Sequence, residues 1–269
     1  MAAPYIYTSS GGSVGGDLVT RAPLYLSGRQ WYCHYGTGED AAGTRGLERN
    51  RPLKTVAQAV TNGAAGDLIT FLSGHEETLT AAQTLGKARM RLQSEGEGST
   101  RAKFTCGGTV AMFDITAAGV ELDNLYFPAS TAVATARVRI ATPWTKVRNC
   151  YFECGPSDTA AALRYVTGAG SARVNNCEFV SSAIAVASQP SIGIEVVNAL
   201  TDMELEAVIF NGGTYGWSDF AFKGTAAITG LSAIDISLLG DSDFYLATGS
   251  SYVFHPENYS GSARIELTA

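Results

Sequence analysis

VELDNLYF (120–127), VRNCYF (147–152), VNNCEFV (174–180) and LEAVIF (205–210) are four copies of one short pattern, each carrying a phenylalanine at its close. Phe127, Phe152, Phe179 and Phe210 stand 25, 27 and 31 residues apart, and LSAIDI (231–236) extends the series to Ile236. Such a period predicts a solenoid, because one coil cannot bury its apolar side alone and does so by stacking on its neighbours. The rings then make one inward file, with coils about 4.8 Å apart. A two-layer sandwich would also show alternation, but it does not require the same motif to return at similar intervals. Asn124, Asn149 and Asn176 precede Leu125, Cys150 and Cys177. That placement suits a corner ladder, since asparagine tolerates left-handed backbone and its amide both donates and accepts. Glu121, Arg148 and Asn175 are read as matching positions, with Glu121 and Arg148 as a cross-coil ion pair.

Composition agrees with this reading. Of 269 residues, 45% are apolar, only 16% are charged and 30 are glycine. That is a folded chain with many tight corners rather than a disordered one. The formal net charge is −6, with basic residues scattered, so no nucleic-acid role is expected. No run of apolar residues is long enough to span a bilayer, and the N-terminus has no basic-then-apolar leader. Five cysteines without a CxxC pair are expected to be reduced, buried thiols, with Cys150 and Cys177 stacked in adjacent coils.

The chain divides into three regions. Residues 1–30, rich in Gly, Ser and Thr, read as an extended N-terminal arm. Residues 31–240 read as the solenoid, with a short amphipathic capping helix near 52–61 in RPLKTVAQAVTNG. There Pro52 suits the first turn, Leu53, Val56, Ala57 and Val60 share a face, and Asn62-Gly63 supplies the stop. The open end of a stack of coils gives that face something to cover. Residues 241–269 read as a C-terminal cap or assembly-contact segment.

Chemistry is harder to find. Glu121 and Asp123 share a strand face at a spacing a glycosidase pair could use, although alternating acids are also ordinary surface. Asp114 is a further carboxylate, and Asp241-Ser242-Asp243 reads as a turn. His75 has no identifiable partner, and His34, His75 and His255 make no metal signature. No catalytic residue is assigned, and no cofactor or metal is expected. GGTYGWSDFAFKG (212–224) and the stretch from 242 concentrate aromatics. Trp217, Phe220, Phe222, Phe244 and Tyr245 are therefore candidates for an interface or glycan contact, with internal packing as the other reading.

The run NRPLKTVAQAV followed by GAAGDLITFLSGHEE, TLTAAQTLGKARMRLQSEG and GVELDNLYF resembles the opening of right-handed parallel β-helices of the pectate-lyase-like superfamily. The similarity is greatest to the versions in bacteriophage virion proteins. It covers about residues 31–240 and implies an all-β, single-stranded right-handed parallel β-helix, with Pro52–Val60 as the capping helix and Gly66-Asp67 opening the first full coil. Family lyases use acidic calcium ligands beside a basic residue, and family hydrolases use aspartates from neighbouring coils. Neither set can be placed on this sequence. The resemblance therefore implies a non-enzymatic structural component of a phage particle: a head decoration, turret or tail-associated module. It would be assembled in the host cytoplasm with other virion proteins, as a homo-oligomer and expected trimer. The alternatives are a polysaccharide-degrading enzyme, as depolymerase or lyase, and a glycan-binding adhesin without turnover.

Overall fold

The computed structural model describes residues 28–41, 45–109, 111–129, 136–155, 161–182, 190, 192–259 and 265–267. Within them the chain winds as a parallel β-solenoid with three walls. The first wall stacks Gln30–Cys33, Leu68–Phe71, Arg91–Ser94, Glu121–Asp123, Lys146–Arg148, Arg173–Asn175 and Glu204–Glu206. The second stacks Glu76–Leu79, Ala102–Cys106, Leu125–Phe127, Tyr151–Cys154, Glu178–Ser181 and Ile209–Asn211. Leu231–Leu239 turns the corner as one strand and pairs with both walls, and Tyr252–Tyr259 lies along it. The third wall has eight strands, from Gln83–Leu85 to Ile265–Leu267. Of the expected arm, residues 1–27 lie outside the described residues. The coils run past residue 240, because Phe244–Leu246, Tyr252–Tyr259 and Ile265–Leu267 belong to the stacked sheets.

The phenylalanine file is present. Phe127, Phe152, Phe179 and Phe210 are fully buried. Successive centroids lie 4.6, 4.8 and 5.3 Å apart, with planes within 3°, 2° and 19° of parallel. Parallel in-register strands let identical rings stack face to face and fill the space between coils without voids. The series continues not to Ile236 but to Leu238, two residues on, which lies opposite Phe210. The corner keeps its five-residue step, with Ala233 opposite Leu205 and Leu238 opposite Phe210, so the whole motif lies two residues later than LSAIDI suggests. All five cysteines are free and buried. Cys150 and Cys177 donate weakly to the carbonyls of Arg148 and Asn175.

Asn124, Asn149 and Asn176 hold the corner between the first two walls at φ of 60°, 54° and 50°. Asn176 Nδ2 donates to Asn149 Oδ1 at 2.8 Å, and Asn149 Nδ2 donates to Asp123 Oδ1 at 2.7 Å. Asn124 Nδ2 reaches the carbonyls of Ser94 and Gly96. The side chains therefore satisfy backbone and each other along the axis.

The helix spans Val56–Asn62, shorter at its start than expected. Leu53 is held in a bridge with Cys33, so the chain is extended just after Pro52 and the helix waits for Thr55. Thr55 Oγ1 accepts from Gln58 N–H, and Asp40 Oδ1 accepts the N–H groups of Lys54 and Thr55. Ala59 rather than Ala57 joins Leu53 and Val56 in the core, closing that end of the stack. Lys87 Nζ donates to the carbonyls of Val60, Thr61 and Gly63, placing a cation at the helix C-terminus. His75, for which the sequence suggests no partner, is fully buried here. Its Nδ1 accepts from Tyr35 N–H at 3.1 Å, so Nε2 carries the proton offered to Glu77 Oε2 at 3.2 Å. Glu77 Oε2 also accepts from Val56 N–H at 2.9 Å, fastening the helix from inside.

Candidate functional site

Outward positions of the first wall are absorbed by ion pairs. Arg91 contacts Asp123 Oδ2, and Arg148 Nε lies 2.5 Å from Glu121 Oε1 with its Nη2 3.3 Å from Asp123 Oδ2. Asp123 therefore serves two guanidinium groups and an amide. Motif spacing alone pairs these positions two residues out of step: Asp123, Arg148 and Asn175 share one column, and Glu121, Lys146 and Arg173 share the other. Glu121 still meets Arg148, but diagonally. Glu121 and Asp123 are thus both engaged by Arg91 and Arg148, with Asp123 almost fully buried, so the pair forms a structural clamp between coils. Asp114 is likewise bound to Arg139 at 2.7 Å.

The second wall differs. Its outward column runs Lys103, Tyr126, Tyr151 and Glu178 on successive coils. Each stands one residue before its inward phenylalanine, and Glu153 faces out two residues beyond Tyr151. Tyr126 donates its hydroxyl to Glu153 Oε2 at 2.6 Å, and its ring meets that of Tyr151 edge-on at 5.3 Å. Glu153 lies opposite Val180, so Glu178 is its diagonal neighbour one coil away. Diagonal positions in a sheet are about 7–8 Å apart at Cα, which lets two glutamate carboxyls stand within the ~5–9.5 Å used by glycosidases. Burial pushes the Glu178 carboxyl above its ordinary value, against the pull of Arg101. Tyr151 is raised by burial and then by the charges of Glu178 and Glu153; Tyr126 is raised further, by burial and its bond to Glu153. The column thus holds two phenols that stay protonated, one partly desolvated carboxyl and one carboxyl oriented by a hydroxyl.

The aromatics singled out in the sequence separate into two groups. Trp217, Phe222 and Phe244 are buried. Phe222 and Phe244 stack at 4.2 Å inside the core, and Trp217 Nε1 donates to Ser242 Oγ at 3.3 Å. Phe222 and Phe244 face the core from the third wall, and Trp217 is buried in the loop before it, which takes all three out of reach of a partner. Phe220 and Tyr245 stand half-buried on the outer side of the third wall, 5.0 Å apart, with Lys223 over the Phe220 ring. Sequence reasoning missed Tyr126, Tyr151, Glu153 and Glu178. The signal was available: once the phenylalanines are aligned, the residue before each one must face out. It also missed Trp144, the most exposed large apolar side chain among the described residues at 61%.

Among the described residues no cluster of three His, Cys, Asp or Glu is arranged to hold a metal ion, and no helix is long and apolar enough to cross a membrane. No protein-family model and no curated protein matches the chain. A solved structure, that of pectate lyase Pel9A, is similar at 12% identity over 91% of this chain and 80% of that one, with a TM-score of 0.46.

Proposed function

We propose that this solenoid binds an extended saccharide along the outer face of its second wall and hydrolyses it, with Glu178 as general acid and Glu153 as general base. The observation that carries the reading is the diagonal placement of these two glutamates on adjacent coils beside the Tyr126–Tyr151 pair. The tyrosine rings offer apolar surface to sugar faces and hydroxyls to sugar oxygens. Glu178, whose pKa partial burial raises, gives its proton to the glycosidic oxygen as the bond breaks. Glu153, steered by the Tyr126 hydroxyl, takes a proton from the water that attacks the anomeric carbon. An attacking water placed between the two carboxyls would invert the anomeric centre.

The test is release of reducing ends from a panel of polysaccharides by the purified protein. Glu178→Gln and Glu153→Gln should each lower turnover ~10²–10⁴-fold while leaving the thermal midpoint unchanged. Because Glu178 must be protonated, activity should fall as pH rises through its elevated pKa. Arg101→Gln, which removes the opposing charge, should move that limb to higher pH. Undiminished cleavage by both glutamine variants would sink the assignment.

A second reading is favoured by the first wall. Its paired charges, Arg91 with Asp123, Arg148 with Glu121 and Arg173 with Glu204, make a stiff, neutralised surface suited to a rod in a larger assembly. On that reading the chain is a phage-particle module, assembled in the host cytoplasm as a side-by-side trimer. Saccharide binding without turnover, together with a trimeric mass in solution, would favour it.

A further inference from the structure

The outer face of the second wall changes character beside and beyond Glu178. On the next coil Ile209 stands in register with Glu178, and Asn211 stands in register with Val180. Val180 and Ile209 alternate with the buried Phe179 and Phe210, so both face outward, and both are half-buried. They are diagonal neighbours on adjacent coils, a separation at which branched side chains share one apolar patch. The column that carries Lys103, two tyrosines and a glutamate thus gives way to aliphatic surface at the edge of the carboxyl pair.

Asn211 borders this patch with an oriented amide. Its Oδ1 accepts from Gly213 N–H at 3.0 Å. A backbone N–H can only donate, so the bond fixes which end of the amide is anchored and leaves Nδ2, with two protons to give, for another acceptor. No described residue accepts from it. An apolar patch beside a single amide donor matches an acetamido group, whose methyl is best covered and whose carbonyl needs a donor. A hydroxyl in its place would use the donor and leave the patch in water. The local charge selects against an acidic sugar: Glu153 and Glu178 bring two carboxyls, Arg101 is the cation whose field reaches Glu178, and Lys103 is held by Glu76 at 2.5 Å. A neutral ring meets no opposing field there.

We propose that Val180, Ile209 and Asn211 form a subsite for the acetamido group of a neutral N-acetylated amino sugar. Val180 and Ile209 cover the methyl, and Asn211 Nδ2 donates to the acetamido carbonyl. The inference rests on the hydrolytic reading of Glu153 and Glu178, and it names the class of glycan on which that pair acts.

Binding is measured on the full chain carrying Glu153→Gln and Glu178→Gln, so that cleavage cannot confuse it, and cleavage on the unaltered chain. The probes are oligosaccharides of N-acetylglucosamine, glucosamine and glucose in one linkage and length, which differ only in carrying acetamido, amino or hydroxyl. Calorimetric titration should show the acetylated oligomer bound about tenfold or more tightly than either of the others. Asn211→Asp keeps the oxygen that Gly213 N–H needs and loses the donor. It should weaken the acetylated oligomer about tenfold, with no change for the glucose oligomer and no loss of thermal midpoint. Val180→Thr, which places a hydroxyl where the methyl packs, should weaken it several-fold. Absent or equal affinity for the three oligomers, or acetylated binding untouched by Asn211→Asp, would overturn the proposal. Cleavage separates it from the reading it rests on. Equal turnover of the glucose and acetylated oligomers sinks the subsite and keeps hydrolysis, whereas selective binding without any release of reducing ends supports the subsite and sinks hydrolysis.

Discussion

The inner and outer faces of the same three strands obey different rules. On the inside of Leu125–Phe127, Tyr151–Cys154 and Glu178–Ser181 one residue type repeats, and the rings stack within 3° of parallel. On the outside, one position away, the column reads Tyr126, Tyr151, Glu178. Inside, each coil must match the volume of the next, so variation is costly. Outside, neighbours are solvent and one another, and variation is free to serve chemistry. Where repetition stops on an outward column, as it does here, the change marks a position whose identity the fold does not dictate.

The strongest challenge to this contrast lies on its inner side. Phe152→Ala removes a ring stacked on both faces and should cost about 3–5 kcal/mol of unfolding free energy, measured by denaturant titration. The Glu178→Gln change on the adjacent strand should stay within about 0.5 kcal/mol, as a surface substitution does. If the two costs were similar, the outer column would be structural and the proposed site would lose its basis.

Which of these features could be read from the residues depends on what fixed them. The file Phe127 to Phe210 was legible because one residue type recurs at nearly constant spacing. Its end was misplaced at Ile236 because LSAIDI matches the motif from its leading leucine, whereas the register sets Ala233 opposite Leu205 and Leu238 opposite Phe210. The buried thiols and the asparagine corner were legible for the same reason as the phenylalanines. For Phe222 and Phe244 the sequence left contact and internal packing open, because aromatic density looks alike inside and out; both are buried. Tyr126, Tyr151, Glu153 and Glu178 were within reach of the aligned motifs, whereas the placement of Trp144 was not. Its exposure and its left-handed backbone, with φ of 59°, belong to a corner where no sequence motif repeats.

The asparagine corner probes the contrast at intermediate size, because its rungs are partly inside and partly out. Asn149→Ala would keep a φ near 54° without the side chain that tolerates it, and would delete bonds to Asp123 and from Asn176. A loss of about 2 kcal/mol is expected from the strain and the lost hydrogen bonds together. Asn149→Gly, which keeps the backbone and loses only the bonds, should cost about half as much. Ala207 already sits at the equivalent rung with φ 51° and no amide. Ala207→Asn should therefore recover about 1 kcal/mol. Equal costs for the two Asn149 variants would mean that backbone conformation contributes little there.

The smallest effect tests an inward position that departs from the apolar rule on the third wall. Tyr165 is fully buried, opposite Ile140 on one side and Val196 on the other. Its hydroxyl finds no hydrogen-bond partner among the described residues, and burial pushes its phenol well above the ordinary range. An unsatisfied hydroxyl in an apolar interior is destabilising, whereas its ring contributes as any phenylalanine would. Tyr165→Phe removes the oxygen and little else, so it should raise stability by about 1 kcal/mol, read as a higher denaturant midpoint at constant slope. A loss of similar size would mean that the hydroxyl is satisfied, by a buried water or a backbone group, and that the inner face of this solenoid tolerates more polarity than its phenylalanine file suggests.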